Sequence, residues 1–269
     1  MIIDFHTHIF PDRIAAPVAA ALSKNGAVPA HLIPTLDQTL SSLSEAGVDV
    51  AVNLPVLTSP AQLESITRFA RGLNEKSYTG PRIVSFAGIH PDTEDPEGVI
   101  DALADGGFLG IKVHPDYQGT YFDDVRYVRI LSAAKRRGLI TVTHAGFDCG
   151  YVGQPIRCTP ASVLRLLDKV GGYGKLVLAH MGGNSMFTAA YELLAGEDVY
   201  LDTAYVLRDI EPKLFSKFLS RHGVDRVLFA SDSPWRGIGA EVEYLRSLGL
   251  GEDVEEKLFS LNAKKLLGI

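Results

Sequence analysis

The stretch FLGIKVHPDYQGTYFDDVRYVRILSAAKRRGLITVTHAG (residues 108–146) contains a strand, a helix and a second strand in succession. Residues 108–115 and 139–146 are apolar runs with the length expected of strands that are buried on both faces. Between them, residues 124–138 place apolar side chains three and four apart and end on Gly138, which is typical of a helix and its C-cap. This unit predicts two parallel strands joined by a helix.

The same alternation runs through the whole chain. Helical patterns recur at 159–170 and 209–223, and eight short apolar runs can be counted. The eight predicted strands lie at 2–8, 48–56, 82–91, 108–115, 139–146, 175–183, 199–205 and 226–234. Eight is the number that closes a (β/α)8 TIM barrel. An open doubly wound sheet is the main rival, but it normally has a glycine-rich phosphate turn after an early strand, and none is present. We expect one domain over residues 1–269.

Composition excludes several classes of function. The 269 residues are 46% hydrophobic and 22% charged, with a formal net charge of −6. No basic stripe is present, so nucleic acid is not an expected partner. There is no signal-peptide pattern at the N-terminus and no apolar segment long enough to span a bilayer. Two cysteines are too few for a disulfide scaffold and suit a reducing compartment. We therefore expect a cytoplasmic protein that acts on a small molecule.

Two connections are longer than a barrel needs, at residues 9–35 and 145–158. Both follow the C-terminal end of a predicted strand, which is where barrel enzymes build their active sites. Long loops at such positions are usually functional. We expect these two connections to shape a substrate pocket.

Ionisable residues end five of the eight predicted strands. They are His6 and His8, Lys112 and His114, His144, His180, and Asp232. Taken alone, His6 and His8 fit two ligands of one metal ion and a hydrogen-bonded polar pair about equally well, because residues two apart share one face of a strand. A barrel brings all five strand ends to one rim, and this convergence predicts a functional site. Imidazoles with a carboxylate suit Zn²⁺, with Mn²⁺ or Fe²⁺ as alternatives.

The motifs resemble those of the amidohydrolase superfamily of metal-dependent barrel enzymes. The resemblance is carried in order by DFHTHIF, GIKVHP, VTHAG, VLAHMGG, ASDSPW and the terminal LNAKKLLGI. Within the superfamily the chain is most similar to the amidohydrolase 2 branch, which includes α-amino-β-carboxymuconate-semialdehyde decarboxylase. The resemblance implies that His6, His8 and His144 are metal ligands. Asp232 would be a ligand or the general base, and His180 the catalytic histidine, or a ligand of a second ion as in two-metal relatives.

Lys112 and His114 lie two apart in one predicted strand, and we expect both to contact the substrate. The resemblance leaves three roles open for Lys112: binding a substrate carboxylate, pairing with an internal acid, or carrying a carbamate that bridges two ions. A buried lysine needs a partner, and Asp4 is a candidate for it. Asp202, on the seventh predicted strand, is expected to support a ligand.

The leading functional hypothesis is a hydrolase that uses metal-activated water to cleave a C–N or C–O bond in an amide, cyclic amide, lactone or ester. The alternative is a metal-dependent, non-oxidative decarboxylase of a small carboxylated substrate. A TatD-like nuclease is less favoured, since those proteins have a glutamate where this chain has Lys112-Val113-His114. We expect one zinc ion, with two ions still open. A homodimer is allowed, but nothing in the sequence specifies an interface.

Overall fold

The computed structural model describes all 269 residues, and its parallel strands form the predicted barrel. The strands are β1 (Ile3–Thr7), β2 (Val50–Asn53), β3 (Arg82–Ser85), β4 (Ala87–Gly88), β5 (Gly110–Val113), β6 (Ile140–Thr143), β7 (Leu176–Leu178), β8 (Tyr200–Asp202) and β9 (Val227–Leu228). Hydrogen bonding connects β1–β2–β3 in one group and β4 through β9 in the other. β3 and β4 are two halves of one predicted strand, separated at Phe86, so nine segments make the eight predicted strands.

The barrel closes between its first and last strands. The Phe5 amide donates to the Phe229 carbonyl at 3.0 Å, and the Asp232 amide donates to the His6 carbonyl at 2.9 Å. A parallel bridge pairs Thr7 with Ser233. These bonds place the ends of β1 and of the segment after β9 side by side, so residues from opposite ends of the chain meet at one rim.

Helices surround the strands. They are α1 (Asp12–Gly26), α2 (Leu36–Glu45), α3 (Leu63–Glu75), α4 (Pro96–Asp105), α5 (Val125–Arg136), α6 (Pro160–Val170), α7 (Phe187–Leu194), α8 (Pro212–His222), α9 (Ile238–Ser247), α10 (Glu252–Glu256) and α11 (Asn262–Leu267). A π-helical turn over Lys257–Leu261 joins the last two, and single 3₁₀ turns occur at Pro60–Gln62, Cys149–Tyr151, His180–Gly182 and Val224–Arg226. None of the helices combines the length and apolar character needed to cross a lipid bilayer.

Local signals explain where the helices begin and end. Asp124 accepts a hydrogen bond from the Arg126 amide at the start of α5, and Thr159 does the same for the Ser162 amide at the start of α6. Gly171 follows α6 with φ of 66°, a left-handed conformation that glycine adopts without steric cost. The three predicted helices thus form within three residues of their expected bounds.

The core has two layers that follow the alternation of the strands. On β7, Val177 belongs to an inner cluster of 17 buried residues, which also includes Phe5 and Val142. Its neighbours Leu176 and Leu178 belong to an outer cluster of 50 residues between the strands and the helices. Burial on both faces explains why the strands are nearly all apolar until their C-terminal ends. Polar residues at those ends therefore stand out.

Candidate metal centre

A cavity of about 720 Å³ opens at the C-terminal ends of the strands. Its floor contains His6, His8, His144, His180 and Asp232. The two long connections form part of its walls, as the sequence predicts. They contribute α1 and the 3₁₀ turn at Cys149–Tyr151.

The imidazole of His8 and the carboxylate of Asp232 face one another at hydrogen-bond distance. His8 Nδ1 lies 3.0 Å from the Leu54 carbonyl, which is an acceptor, so this nitrogen carries a proton. In the neutral ring, Nε2 then presents a lone pair, and it lies 3.1 Å from Asp232 Oδ1. Two lone pairs at this separation repel unless a proton or a metal ion lies between them. The spacing therefore fits two ligands of one ion, and it also fits a protonated His8 that donates to Asp232.

His6 is oriented in the same manner. Its Nδ1 lies 2.9 Å from Asp202 Oδ2, which leaves Nε2 as the lone pair facing Asp232 Oδ1 at 3.5 Å. Burial lowers the pKa of His6 well below its usual value, and the nearby positive charge of Lys112 lowers it further. The ring is thus neutral at neutral pH, which is the form that binds metal ions. This contact agrees with the supporting role expected for Asp202.

The three side chains together fit a divalent ion. The donor atoms of His6, His8 and Asp232 lie within 4.8 Å of one another. Two imidazoles and one carboxylate suit Zn²⁺, Mn²⁺ or Fe²⁺ and leave further coordination positions for substrate or water. Each histidine also has its second nitrogen held by an oxygen acceptor, as metal-binding histidines almost always do.

His180 and His144 meet beside this triad. His180 Nδ1 donates to the Ala204 carbonyl at 2.8 Å, and Nε2 lies 3.0 Å from His144 Nδ1. The His180 amide donates to Asp202 Oδ1 at 2.9 Å, so Asp202 positions both His180 and His6. His180 can accept or deliver a proton at the cavity floor, which is consistent with the catalytic role expected for it.

His144 is adjacent to the triad but outside it. Its Nε2 is buried without a hydrogen-bond partner, and so is Asp116 Oδ2, 4.0 Å away. Because His180 donates from Nδ1, its Nε2 is a lone pair, so His144 Nδ1 donates to it and His144 Nε2 is left as a lone pair 4.0 Å from Asp116 Oδ2. The role of His144 as a ligand stays a prediction, and Asp116 is a residue that the sequence did not indicate.

His114 lies in the cavity wall, where its ring is fixed on both sides. It stacks against His144 and Tyr117 with ring centroids 4.2 and 4.0 Å apart. Its Nδ1 accepts from the Tyr117 amide, so Nε2 donates to Asp148 Oδ2 at 3.3 Å. Asp148 was not predicted, although it lies within the 145–158 connection that was expected to shape the pocket. The substrate contact expected for His114 stays a prediction.

Lys112 is buried in the cavity floor, with 1% of its surface exposed. Its Nζ donates to His6 Nε2 at 3.2 Å, and it forms no ion pair. Burial lowers the pKa of Lys112 to about 8, so the side chain is mainly cationic at neutral pH. The expectation that Asp4 pairs with Lys112 is wrong. Asp4 instead accepts from the Ser231 amide at 2.9 Å and the Ser231 hydroxyl at 2.5 Å, across the seam that closes the barrel.

Three non-glycine residues that line the cavity, His180, Tyr205 and Asp232, have a left-handed backbone conformation. Asp232 has φ of 67° and His180 has φ of 59°, a left-handed region that non-glycine residues rarely adopt. Such conformations cost free energy and persist where the surrounding structure imposes them, often at functional sites. At His180 and Asp232 they turn each side chain from the strand end into the cavity.

These features define a class of protein, namely a TIM barrel with a buried His/Asp metal-site candidate at the C-terminal ends of its strands. The Amidohydrolase family profile matches residues 3–269. The chain therefore belongs to the Amidohydrolase family, in the amidohydrolase 2 branch. A search of the curated proteins found no match.

Solved structures share the fold at low sequence identity. The 2,6-dihydroxybenzoate decarboxylase from Rhizobium is 17% identical, with a TM-score of 0.70, and the match covers 99% of this chain and 98% of that one. A manganese-bound dihydroxybenzoic acid decarboxylase from a Polaromonas species is 16% identical, with a TM-score of 0.72 and coverage of 99% and 96%. A candidate 2-pyrone-4,6-dicarboxylic acid hydrolase from Pseudomonas putida is 17% identical, with a TM-score of 0.67 and coverage of 99% and 97%.

Proposed function

We propose that this protein is a metal-dependent, non-oxidative decarboxylase of a small carboxylated molecule, with its ion held by His6, His8 and Asp232. The observation that carries the proposal is the buried ammonium group of Lys112. It lies in the cavity floor 3.2 Å from His6 Nε2, and no carboxylate of the protein pairs with it. This proposal favours the alternative of the sequence analysis over hydrolysis.

Asp202 and Asp232 are near enough to stabilise the charge of Lys112, but neither is in ion-pair contact with it, and a bound substrate carboxylate would offset the remaining cost of burying the cation. The position of Lys112 also bears on which substrate group reacts. Its ammonium lies beside a candidate ligand atom and not at the cavity mouth, so a carboxylate bound there would be held at the reacting centre. In a hydrolase, the carbonyl of the bond to be cleaved would have to occupy this position beside the ion. The arrangement therefore favours loss of the carboxylate itself.

The reaction breaks the C–C bond to the carboxylate, releases carbon dioxide and leaves the electron pair on the substrate carbon. A bound divalent ion would supply Lewis-acid stabilisation of the negative charge that develops on the substrate. Lys112 would hold the carboxylate before it leaves. His180 faces the same floor and, once its Nε2 has taken up a proton from water, would deliver that proton to the carbon, so that the product gains one hydrogen while Asp232 stays a ligand of the ion.

The comparisons support this choice. Decarboxylases acting on aromatic acids are among the structures that share the fold, and one of them contains manganese. We therefore propose Mn²⁺ beside Zn²⁺ as the resident ion. Hydrolysis is the second candidate, because the candidate hydrolase from Pseudomonas putida also shares the fold, with a TM-score of 0.67, and Asp232 is placed to act as a general base.

Isotopic labelling separates the two reactions. The metal-loaded protein is incubated with a panel of small aromatic carboxylates and with the corresponding lactones and esters. In deuterated water, a decarboxylase releases carbon dioxide and leaves one deuterium on the product. In ¹⁸O-labelled water, a hydrolase places ¹⁸O in the product and releases no carbon dioxide, and that result would overturn the proposal.

The Lys112→Met variant tests the residue that carries the argument. Loss of the cation should raise KM for the carboxylated substrate by about 10-fold or more, because charged hydrogen bonds contribute roughly 1.5–3 kcal/mol. Lys135→Met is the matched control, since Lys135 binds the carbonyls of Val170 and Gly171 on the outside of the barrel. Unchanged kinetics in Lys112→Met would remove the basis of the proposal.

A further inference from the structure

One side of the cavity is an apolar surface that the metal centre does not use. It is formed by Ile14, Val18 and Leu22 on α1 and by Ile66 and Phe69 on α3, and we call these five residues the apolar wing. All five line the same cavity as the metal centre. None is fully buried, and Ile14 is 36% exposed.

The spacing of these residues shows that whole helix faces are involved. On α1 the wing residues recur every four positions, and on α3 they lie three apart, which places each set on one stripe of its helix. The α1 stripe is about 12 Å long at 1.5 Å per residue. Helix α1 belongs to the long 9–35 connection, which the barrel itself does not require.

We infer that the substrate carries an apolar tail of several carbon atoms, which lies in the apolar wing while its polar head lies at the metal centre. This inference rests on the proposed function, because it assumes that the head group binds the ion. We assign the wing to a tail of the substrate because the wing and the candidate ligands line one concave cavity, so one small molecule can contact both. Ligand pockets of this kind combine an apolar lining with a few converging polar groups.

Straight-chain hydroxamic acids provide a probe, because the hydroxamate chelates the ion and the chain length varies freely. Acetohydroxamic acid places only a methyl group beyond the chelator, whereas octanohydroxamic acid adds six methylene groups. Each buried methylene strengthens binding about threefold to fourfold. We expect octanohydroxamic acid to bind the manganese-loaded protein at least 100-fold more tightly than acetohydroxamic acid, as measured by calorimetry.

Two variants assign the effect to the wing. Leu22→Asn should weaken octanohydroxamic acid about 10-fold and leave acetohydroxamic acid unchanged. Leu193→Asn is the matched control, because Leu193 is 39% exposed on α7 and does not line the cavity. Thermal unfolding and manganese content of both variants confirm that each is folded and loaded.

The outcomes are distinct. Equal affinity for the two acids would overturn the apolar tail and leave the metal centre intact. Failure of both acids to bind the manganese-loaded protein would overturn the proposed metal centre, and the tail with it. If equal affinity is accompanied by a dimer that Leu22→Asn dissociates in sedimentation, the wing binds a second copy of the chain and the inference is wrong.

Discussion

At the residue scale, the candidate site depends on which nitrogen of each histidine is protonated. Asp202 Oδ2 faces His6 Nδ1, and carbonyls face Nδ1 of His8 and His180. Each contact fixes a tautomer that presents Nε2 to the cavity floor. A carboxylate or carbonyl thus prepares each ring before any ion binds, which lowers the cost of assembling the site.

Asp202→Asn should weaken metal binding about 10- to 100-fold while the barrel stays folded. The new amide would donate to His6 Nδ1, and His6 Nε2 would then carry the proton and could not ligate. Competition with a chelator measures the affinity for manganese. Asp198→Asn is the control, since Asp198 is exposed and pairs with Arg226 on the surface. Equal affinity in the two variants would show that His6 does not need this partner.

His222 gives a pH-dependent contribution to stability away from the site. It is 2% exposed, accepts from the Gly196 amide and donates to the Val199 carbonyl. Burial lowers the pKa of His222 to about 4. As the pH falls, His222 therefore takes up a proton in the unfolded chain before it does so in the folded one. Its contribution to the unfolding free energy is fully present above about pH 6.5 and is lost between about pH 6.5 and pH 4.

The contribution of His222 amounts to about 2 kcal/mol of unfolding free energy between pH 7.5 and pH 5. His222→Gln should remove that part of the pH dependence, even if it also lowers stability at pH 7.5. Urea unfolding of the metal-free protein at the two pH values gives the comparison. An identical pH dependence in wild type and variant would mean that His222 titrates normally in the folded chain.

The strand-end residues were predictable, and their loop partners were not. His6, His8, His180 and Asp232 interrupt apolar runs, and barrel topology brings such interruptions together. Asp116 and Asp148 come from loops, where an aspartate is most often a turn or cap residue. Only the three-dimensional path of those loops places Asp116 beside His144 and Asp148 beside His114.

At the element scale, close packing between neighbouring strands limits the size of the side chain that fits at a position, and the periodicity of the sequence does not reveal this limit. The predicted strand at 82–91 divides at Phe86, whose ring packs over Gly110 on β5. A Cβ at Gly110 would lie 2.5 Å from the Phe86 ring and 2.6 Å from the Ile140 carbonyl. The apolar pattern predicts the two strands that contain Phe86 and Gly110, but it does not show that the contact between them needs a glycine at position 110.

Gly110→Ala should lower the unfolding free energy by about 1–3 kcal/mol, because the backbone carbonyl cannot move aside easily. Gly239→Ala, in α9, is the matched control, since its nearest neighbour is the Ala46 Cβ at 3.7 Å. Alanine has a higher helix propensity than glycine, so Gly239→Ala should raise the unfolding free energy by a few tenths of a kcal/mol to about 1 kcal/mol. Urea unfolding measures both, and equal stability of the two variants would contradict the packing account.

At the scale of the whole molecule, one barrel brings together residues more than 200 positions apart, such as His8 and Asp232. The fold was predictable because eight apolar runs alternate with helices, a pattern with few topological solutions. The substrate was not, because pocket shape depends on how α1 and the loops lie over the rim. The buried charge of Lys112 and the apolar wing became visible only in the assembled cavity.

The most direct test of the account is the metal content of wild type, His8→Ala and Asp232→Ala. Each protein is loaded with manganese, passed through a desalting column and measured by plasma mass spectrometry, with circular dichroism to confirm folding. The account predicts about one ion per chain in wild type and less than about a tenth of that in either variant, because each substitution removes one of three protein ligands. Folded variants that retain the full wild-type metal content would contradict it.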